Sequence, residues 1–188
     1  MNRVTVRQLR EKKEKGQKIA MQTATDFSWA RIVDEARVDV VLVGEMRDLD
    51  MTALAMTAAE TGHLVLSTLH TVNASQTVER IIDMYPANQQ NQIRAMLADT
   101  LQAVISQTLF RRVDETGMVP AAEVRLCTPA VRNIIREGRT FEIPNVIETN
   151  RALGMIGLDT AIASLYFNGM ISKEDALAQS AYPEKLEQ

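Results

Sequence analysis

Two short apolar segments, residues 38–43 and 63–69, flank a segment rich in Ala and Met, residues 49–61, that contains no helix-breaking residue. The first apolar segment is a nearly continuous β-branched run, which is typical of a strand covered on both faces. The middle segment favours a helix that ends at Gly62. Because a strand, a helix and a second strand joined by short connections require a right-handed crossover, this order predicts parallel strands with helices packed on the sheet.

Similar signals precede and follow this unit. Towards the N-terminus, we expect a charged helix over residues 5–15, a strand over residues 18–24 and a helix that ends near residue 36. Beyond residue 71, we expect helices over residues 75–84 and 89–107, strands over residues 108–113 and 118–126, and then helices over residues 130–137, 143–148, 158–168 and 172–179. The fold class is therefore α/β. An α/β domain over residues 1–127 would be followed by a helical C-terminal subdomain, residues 128–188, packed on it.

Charge and cysteine content narrow the function classes. The net charge of −3 predicts no general affinity for nucleic acid. The basic residues concentrated in residues 1–18 are interpreted as a solvated helix face. The single cysteine, Cys127, is interpreted as a small buried side chain. Because one cysteine cannot form an internal disulfide, a reducing compartment fits this sequence best. No apolar run is long enough for a transmembrane segment and no signal peptide is evident, so we expect a cytoplasmic protein.

Polar residues follow the first apolar strand at the point where it ends. Ligands of open parallel sheets bind at the carboxyl ends of strands, and Glu45 lies just past such an end. A carboxylate there can order the water shell of a Mg²⁺ ion held by nucleotide phosphates. Arg47 and Asp48 follow at the same rim as candidate cofactor-binding residues. The alternative interpretation is that Glu45 caps the following helix and that Arg47 and Asp48 are surface charges.

The two histidines bracket the second strand. His63 opens it and His70 closes it, so they lie at opposite ends and cannot share one metal ion without a sharp bend. Zinc is therefore disfavoured. His70 is expected beside Glu45, with Thr68 and Thr71 able to hydrogen-bond a phosphate or a bridging water. The alternative is that His70 is a helix-capping or edge residue.

Four segments resemble motifs of the type II/type IV secretion ATPase family, and within it the retraction ATPases of type IV pili. Residues 39–48, DVVLVGEMRD, resemble its Walker B segment, and residues 61–71, TGHLVLSTLHT, resemble its histidine box. Residues 101–109, LQAVISQTL, are similar to its next helix and strand, and residues 128–137, TPAVRNIIRE, resemble a motif linked to retraction. The resemblance covers residues 38–188.

This resemblance implies half of a RecA-like motor that works as a hexameric ring on the cytoplasmic face of a pilus machine. The residue that matches Glu45 would act on Mg²⁺ and water, and the one that matches His70 would contact ATP near the γ-phosphate. Homo-oligomers or other pilus motor subunits are the implied partners. The sequence contains no Gly-x-x-x-x-Gly-Lys-Ser/Thr loop, so tight ATP binding and hydrolysis by these residues alone are not expected.

A second resemblance covers residues 4–44, which are similar to the helix–strand–helix–strand opening of ketopantoate hydroxymethyltransferase, a (β/α)₈-barrel enzyme. Both families share the run at residues 38–44, VDVVLVG, which suggests a composite chain with a barrel-type βαβ opening. Glu45 would then have to replace a metal-binding Asp, and none of the enzyme's later motifs follows. Three function classes stay open at this point: a motor-family ATPase domain, a metal-dependent one-carbon transferase, and a catalytically silent hybrid scaffold.

Overall fold

The computed structural model describes residues 6–24 and 38–186 of the chain, without the side chains of Val6, Arg7, Glu184 and Lys185. The chain divides into two compact units. Residues up to 70 and residues 81–100 form the first unit, and residues 71–80 and those from 101 onwards form the second.

A parallel sheet organises the first unit. Its described elements are α1 (Val6–Glu14), β1 (Met21–Ala24), β2 (Val40–Glu45), α2 (Leu49–Glu60), β3 (Leu64–Thr68) and α4 (Ala87–Thr100). The strands pair in the order β1–β2–β3, and both pairs are parallel. The parallel sheet with flanking helices predicted from the alternation of strands and helices is thereby confirmed. The helix expected between β1 and β2 lies outside the described residues.

The core of the first unit lies between β2 and α2. Val41 and Val43 of β2 pack with Leu54 and Ala55 of α2, and Ala24 of β1 completes the cluster. Each of these side chains is at most 6% exposed, so burial of apolar surface fixes α2 on the sheet. This packing anchors β2 against α2 and thereby positions Glu45, which lies at the carboxyl end of β2.

A β-hairpin and four helices build most of the second unit. They are β4 (Ala103–Arg111), β5 (Met118–Leu126), α5 (Pro129–Glu137), α6 (Ile143–Thr149), α7 (Leu158–Phe167) and α8 (Lys173–Gln179). Helix α3 (Ala74–Asp83) begins in this unit and ends in the first. Phe110 and Ala121 of the hairpin pack with Ile162 of α7 and Ala176 of α8, which makes one apolar core of strands and helices.

One predicted helix is corrected by the structure. The helix predicted over residues 89–107 ends at Thr100, and β4 begins at Ala103. Val104 and Ile105 fit an apolar helix face, but as strand residues they point to opposite faces, one buried and the other 69% exposed. The division into domains at residue 127 stays a prediction; in the structure the hairpin shares a core with α7 and α8.

Candidate functional site

The carboxyl ends of β2 and β3 are tied together at one edge of the parallel sheet. Glu45 is the last residue of β2 and lies in register with Thr68, the last residue of β3. The amide of Met46 donates to the carbonyl oxygen of Thr68 at 3.0 Å, and the hydroxyl of Ser67 donates to the carbonyl oxygen of Gly44 at 2.6 Å. The side chains that leave these two strand ends therefore emerge next to one another.

Glu45 and His70 meet at this edge. Oε1 of Glu45 lies 3.2 Å from Nε2 of His70, and Oε2 accepts a hydrogen bond from Nε of Arg47 at 2.5 Å. The hydrogen bond from Arg47 lowers the pKa of Glu45, and it outweighs the opposing effect of partial burial, with further help from the charges of Arg47 and His70. Glu45 is therefore an ionised carboxylate at neutral pH, held by two flanking groups.

The three groups differ in their access to solvent. The side chain of Glu45 is 21% exposed, whereas those of Arg47 and His70 are 76% and 87% exposed. The carboxylate is thus fixed at the base of the edge, and the imidazole and guanidinium reach outwards. A ligand approaching from solvent meets two nitrogen donors and one carboxylate, an arrangement suited to phosphate oxygens and to a cation bound to them.

The remaining predicted site residues have other contacts. Asp48 caps α2, with its side chain accepting a hydrogen bond from the amide of Met51 at 2.9 Å. The alternative interpretation of this rim named Glu45 as the cap, but Asp48 takes that place. Thr68 is exposed at the end of β3. Thr71 belongs to the second unit, where its hydroxyl lies 2.7 Å from that of Thr77.

The residues at the edge fit a Mg²⁺ ion bound through water rather than an ion held by protein ligands alone. Within residues 6–24 and 38–186, no three or more His, Cys, Asp or Glu side chains are grouped as a metal site would require. Mg²⁺ keeps several waters and is satisfied with one or two carboxylates plus substrate phosphates. Glu45 could supply that carboxylate, and His63, at the opposite end of β3 and 3.1 Å from the hydroxyl of Thr61, could not contribute.

Two further features were not foreseen from the sequence. Asp39, which is 3% exposed, accepts hydrogen bonds from Lys12 at 2.5 Å and from the amide of Ala20 at 2.9 Å. Lys12 therefore stabilises the start of β2 and is not part of a purely solvated face. Arg125 on β5 is fully buried. No pattern around it in the sequence signals this, because an isolated charged residue in a strand usually faces solvent.

A family model described as "Type II/IV secretion system protein" matches residues 9–154. The chain belongs to this family. It is 47% identical over 146 residues to the type IV pilus retraction ATPase PilT of Pseudomonas aeruginosa, covering 78% of this chain and 42% of that protein. It is 46% identical over 148 residues to a twitching motility protein of Neisseria gonorrhoeae, covering 79% of this chain and 40% of that protein.

Solved structures agree with the sequence comparisons. The crystal structure of the pilus retraction motor PilT with bound ADP matches with a TM-score of 0.76 and 38% identity, over 86% of this chain and 45% of that one. The Legionella pneumophila ATPase DotB matches with a TM-score of 0.69 and 25% identity, over 79% of this chain and 40% of that one. This chain thus spans less than half the length of the relatives it matches.

The comparisons give no support to the second resemblance, between residues 4–44 and ketopantoate hydroxymethyltransferase. The secretion family match already begins at residue 9, so it includes α1 and β1. Nothing supports a barrel-type opening either. Among the described helices, none is both long and apolar enough to cross a membrane.

Proposed function

We propose that this chain carries the Walker B and histidine-box part of the nucleotide site of a PilT-like pilus retraction ATPase. The contact between Glu45 and His70 supports this proposal most directly, because it joins a carboxylate and an imidazole from the ends of two adjacent parallel strands. Those strands lie in the segment that matches the secretion family, whose relatives include a retraction ATPase. The same proposal includes the retraction of pili as the task of the motor, a cytoplasmic location, and assembly into a ring with other motor subunits.

The chemistry assigned to each residue follows from its surroundings. Phosphoryl transfer depends on positioning and on neutralisation of charge rather than on a covalent role for the protein. Glu45, ionised and oriented by Arg47, would order water around Mg²⁺ bound to ATP phosphates. His70 directs an exposed ring to the same edge and would contact the terminal phosphate. Arg47, Asp48, Thr68 and Thr71 stay predictions as cofactor-binding residues.

The site needs a phosphate-binding loop from outside these residues. The sequence has no Gly-x-x-x-x-Gly-Lys-Ser/Thr loop, so neither the backbone cradle nor its lysine is present here. We therefore propose that residues 38–188 act as the second half of a motor whose loop lies elsewhere, with weak or no binding of Mg·ATP by these residues alone. The composite origin of residues 4–44 remains a separate prediction, to which no observation lends support.

A transplant tests the proposal. Residues 38–154 would replace the corresponding segment of the full-length Pseudomonas aeruginosa PilT, which supplies the rest of the motor. We expect the hybrid to hydrolyse ATP, Glu45→Gln to abolish turnover, and His70→Ala to lower kcat. Glu60→Gln, at the exposed far end of α2, makes the same charge change away from the edge and should leave turnover intact. His63→Ala is the matched control for His70, because it removes the histidine at the opposite end of β3.

Calorimetry of the chain alone completes the test. Titration of Mg·ATP into the wild-type chain, Glu45→Gln and Glu60→Gln measures whether the isolated edge binds nucleotide. We expect millimolar or weaker binding in every case. A well-folded hybrid without ATPase activity, or one whose turnover is unchanged by Glu45→Gln, would contradict the proposal and favour a catalytically silent scaffold.

A further inference from the structure

A buried carboxylate of the hairpin holds the first residue of helix α3. Oε1 of Glu123, on β5, accepts a hydrogen bond from the amide of Ala74 at 2.8 Å. Both residues belong to the second unit, and they are 8% and 1% exposed. The first amides of a helix have no partner within the helix, and a buried amide without a partner is costly. Glu123 therefore supplies the acceptor that the start of α3 requires.

The charge and the setting of Glu123 suit this task. The N-terminus of a helix carries a partial positive charge, which a carboxylate stabilises. Glu123 lies within the paired part of β5, directly opposite the buried Ser106 of β4. The carboxylate is therefore carried by a hydrogen-bonded strand rather than by a loop, so that α3 begins at a fixed anchor.

The segment between His70 and α3 is short and is bonded to the first turn of the helix. Ala74 comes four residues after His70 in the chain. The hydroxyl of Thr71 lies 2.7 Å from that of Thr77, which itself donates to the carbonyl oxygen of Asn73 at 2.9 Å. A shift of the first turn of α3 would therefore also move Thr71, the residue that directly follows His70.

The position of the His70 ring depends on this backbone. Strand β3 ends at Thr68, which is in register with Glu45, so the strand fixes the chain on one side of His70. The imidazole is 87% exposed, and an exposed ring has little packing to hold it. Its place 3.2 Å from Glu45 thus requires a fixed backbone on the other side as well, where the chain enters α3.

We propose that Glu123 is a positioning residue for the nucleotide edge: it anchors the start of α3 and thereby fixes the backbone that follows His70. This inference rests on the proposed function, because it gives Glu123 a role in ATP hydrolysis that it exerts through Ala74, without contact with the nucleotide. A displacement of about 1 Å at a reacting centre can lower turnover about a hundredfold. Loss of the anchor should therefore lower kcat. KM should change little, because the phosphate-binding loop comes from the rest of the motor.

Two substitutions separate the reach of this side chain from its charge. Glu123→Gln keeps the length, and its amide oxygen can still accept from Ala74, whereas Glu123→Asp keeps the charge but is one methylene shorter. Hydrogen exchange followed by NMR on the full chain measures the contact itself. We expect the amide of Ala74 to exchange at least about tenfold faster in Glu123→Asp than in the wild type, and within about threefold of the wild type in Glu123→Gln.

Turnover of the PilT hybrid that carries residues 38–154 measures the consequence. We expect Glu123→Asp and Glu123→Ala each to lower kcat about tenfold or more with KM within about twofold, and Glu123→Gln to keep most of the activity. When Glu123→Asp is combined with His70→Ala, kcat should fall little further, because the imidazole that Glu123 positions is then gone. A loss caused only by reduced stability would instead multiply with that of His70→Ala.

Ile147→Val is the matched control for stability. Ile147 is buried in the same unit and packs with Ile134 and Ile143, and removal of one methyl group there lowers Tm through the core alone. We expect unchanged kcat in the hybrid. A loss of kcat equal to that of Glu123→Asp would overturn the inference, because the effect would then come from reduced stability.

Three further results would overturn it: exchange of Ala74 in Glu123→Asp as slow as in the wild type, an undiminished kcat in that variant, or losses that multiply with His70→Ala. Either Glu123→Asp or Glu123→Ala suffices for the turnover test if the other does not fold. An inactive hybrid, or one insensitive to Glu45→Gln, would refute the proposed function and with it this role of Glu123. The exchange rate of Ala74 would still report whether the anchor exists.

Discussion

Replacing Arg125 by methionine is expected to stabilise the second unit. Arg125 lies on the buried face of β5 between Glu123 and Cys127 and has no exposed surface. None of its three guanidinium nitrogens has a hydrogen-bond partner among the described residues. Burial lowers the pKa of Arg125, and the opposing influences of Cys127 and Glu123 do not compensate. In the folded state the guanidinium cation has thus lost its hydration, and the nearby Glu123 and Cys127 compensate for this loss only in part.

The magnitude follows from these contacts. Replacing buried ionic groups by apolar side chains of similar volume changes stability by zero to about 4 kcal/mol in the favourable direction. One loss opposes this gain, because Glu123, which is 8% exposed and accepts a hydrogen bond from the amide of Ala74 at 2.8 Å, loses its nearby positive charge. We therefore expect the free energy of unfolding to rise by about 1–3 kcal/mol for Arg125→Met.

Thermal and urea unfolding followed by circular dichroism measure this change. For a chain of this size, each kcal/mol shifts Tm by about 2–4 °C, and the urea m-value should stay constant. The double variant Glu123→Gln, Arg125→Met should gain more, since the amide oxygen of Gln can still accept from Ala74 while no buried carboxylate remains. Arg125→Lys, which keeps the charge, should gain nothing. A loss of more than about 1 kcal/mol in Arg125→Met would refute the reasoning, because it would mean that the guanidinium is well satisfied in the folded protein.

Three further substitutions test other contacts by the same unfolding assays. Burial raises the pKa of Asp39, but hydrogen bonds from Lys12 and from the amide of Ala20 outweigh it and leave the pKa below its ordinary value; Asp39→Asn should cost about 1–3 kcal/mol at neutral pH. This stabilisation is present above the ordinary pKa of an aspartate and is lost as the pH falls through the lowered pKa of Asp39 in the folded protein. The free energies of unfolding of the variant and the wild type should therefore converge as the pH falls below about 4. Asp48→Ala removes the cap of α2 and should cost about 1 kcal/mol, against no more than about 0.5 kcal/mol for the exposed Arg47→Ala; equal losses would argue against the cap. Gly138 ends α5 with φ of 70°, a left-handed conformation that strains a residue with a Cβ atom. Gly138→Ala should therefore lower the free energy of unfolding by about 1–2 kcal/mol, and an unchanged Tm would contradict this.

Local sequence patterns were sufficient to predict the strands and the helix that position the candidate site. Strand β2 is a β-branched run, α2 is a segment without helix breakers that ends before Gly62, and β3 returns directly after it. The prediction that Glu45 and His70 lie near each other followed from topology alone, because parallel strands bring their carboxyl ends to one edge. The same argument could not predict the surroundings of Thr71, whose hydroxyl contacts that of Thr77 within the second unit.

Patterns failed where helix and strand periods overlap or where a charge is buried. Residues 101–107 continue the apolar spacing of α4, so the sequence favoured a longer helix, but pairing with β5 made residues 103–107 part of a strand. Lys12 is one of several charged residues on a short helix, and only the fold shows that Asp39 lies beside it.

The sequence by itself determined the α/β class, the parallel direction of the central strands and the membership in the secretion family, because these depend on short periodic segments and on motifs of contiguous residues. The tertiary structure decided the rest. It set which carboxylate is held by Arg47 and His70, which aspartate caps α2, and which arginine is buried with no hydrogen-bond partner among the described residues. These features join residues through space, and the balance of burial against hydrogen bonding that creates them exists only once the chain has folded.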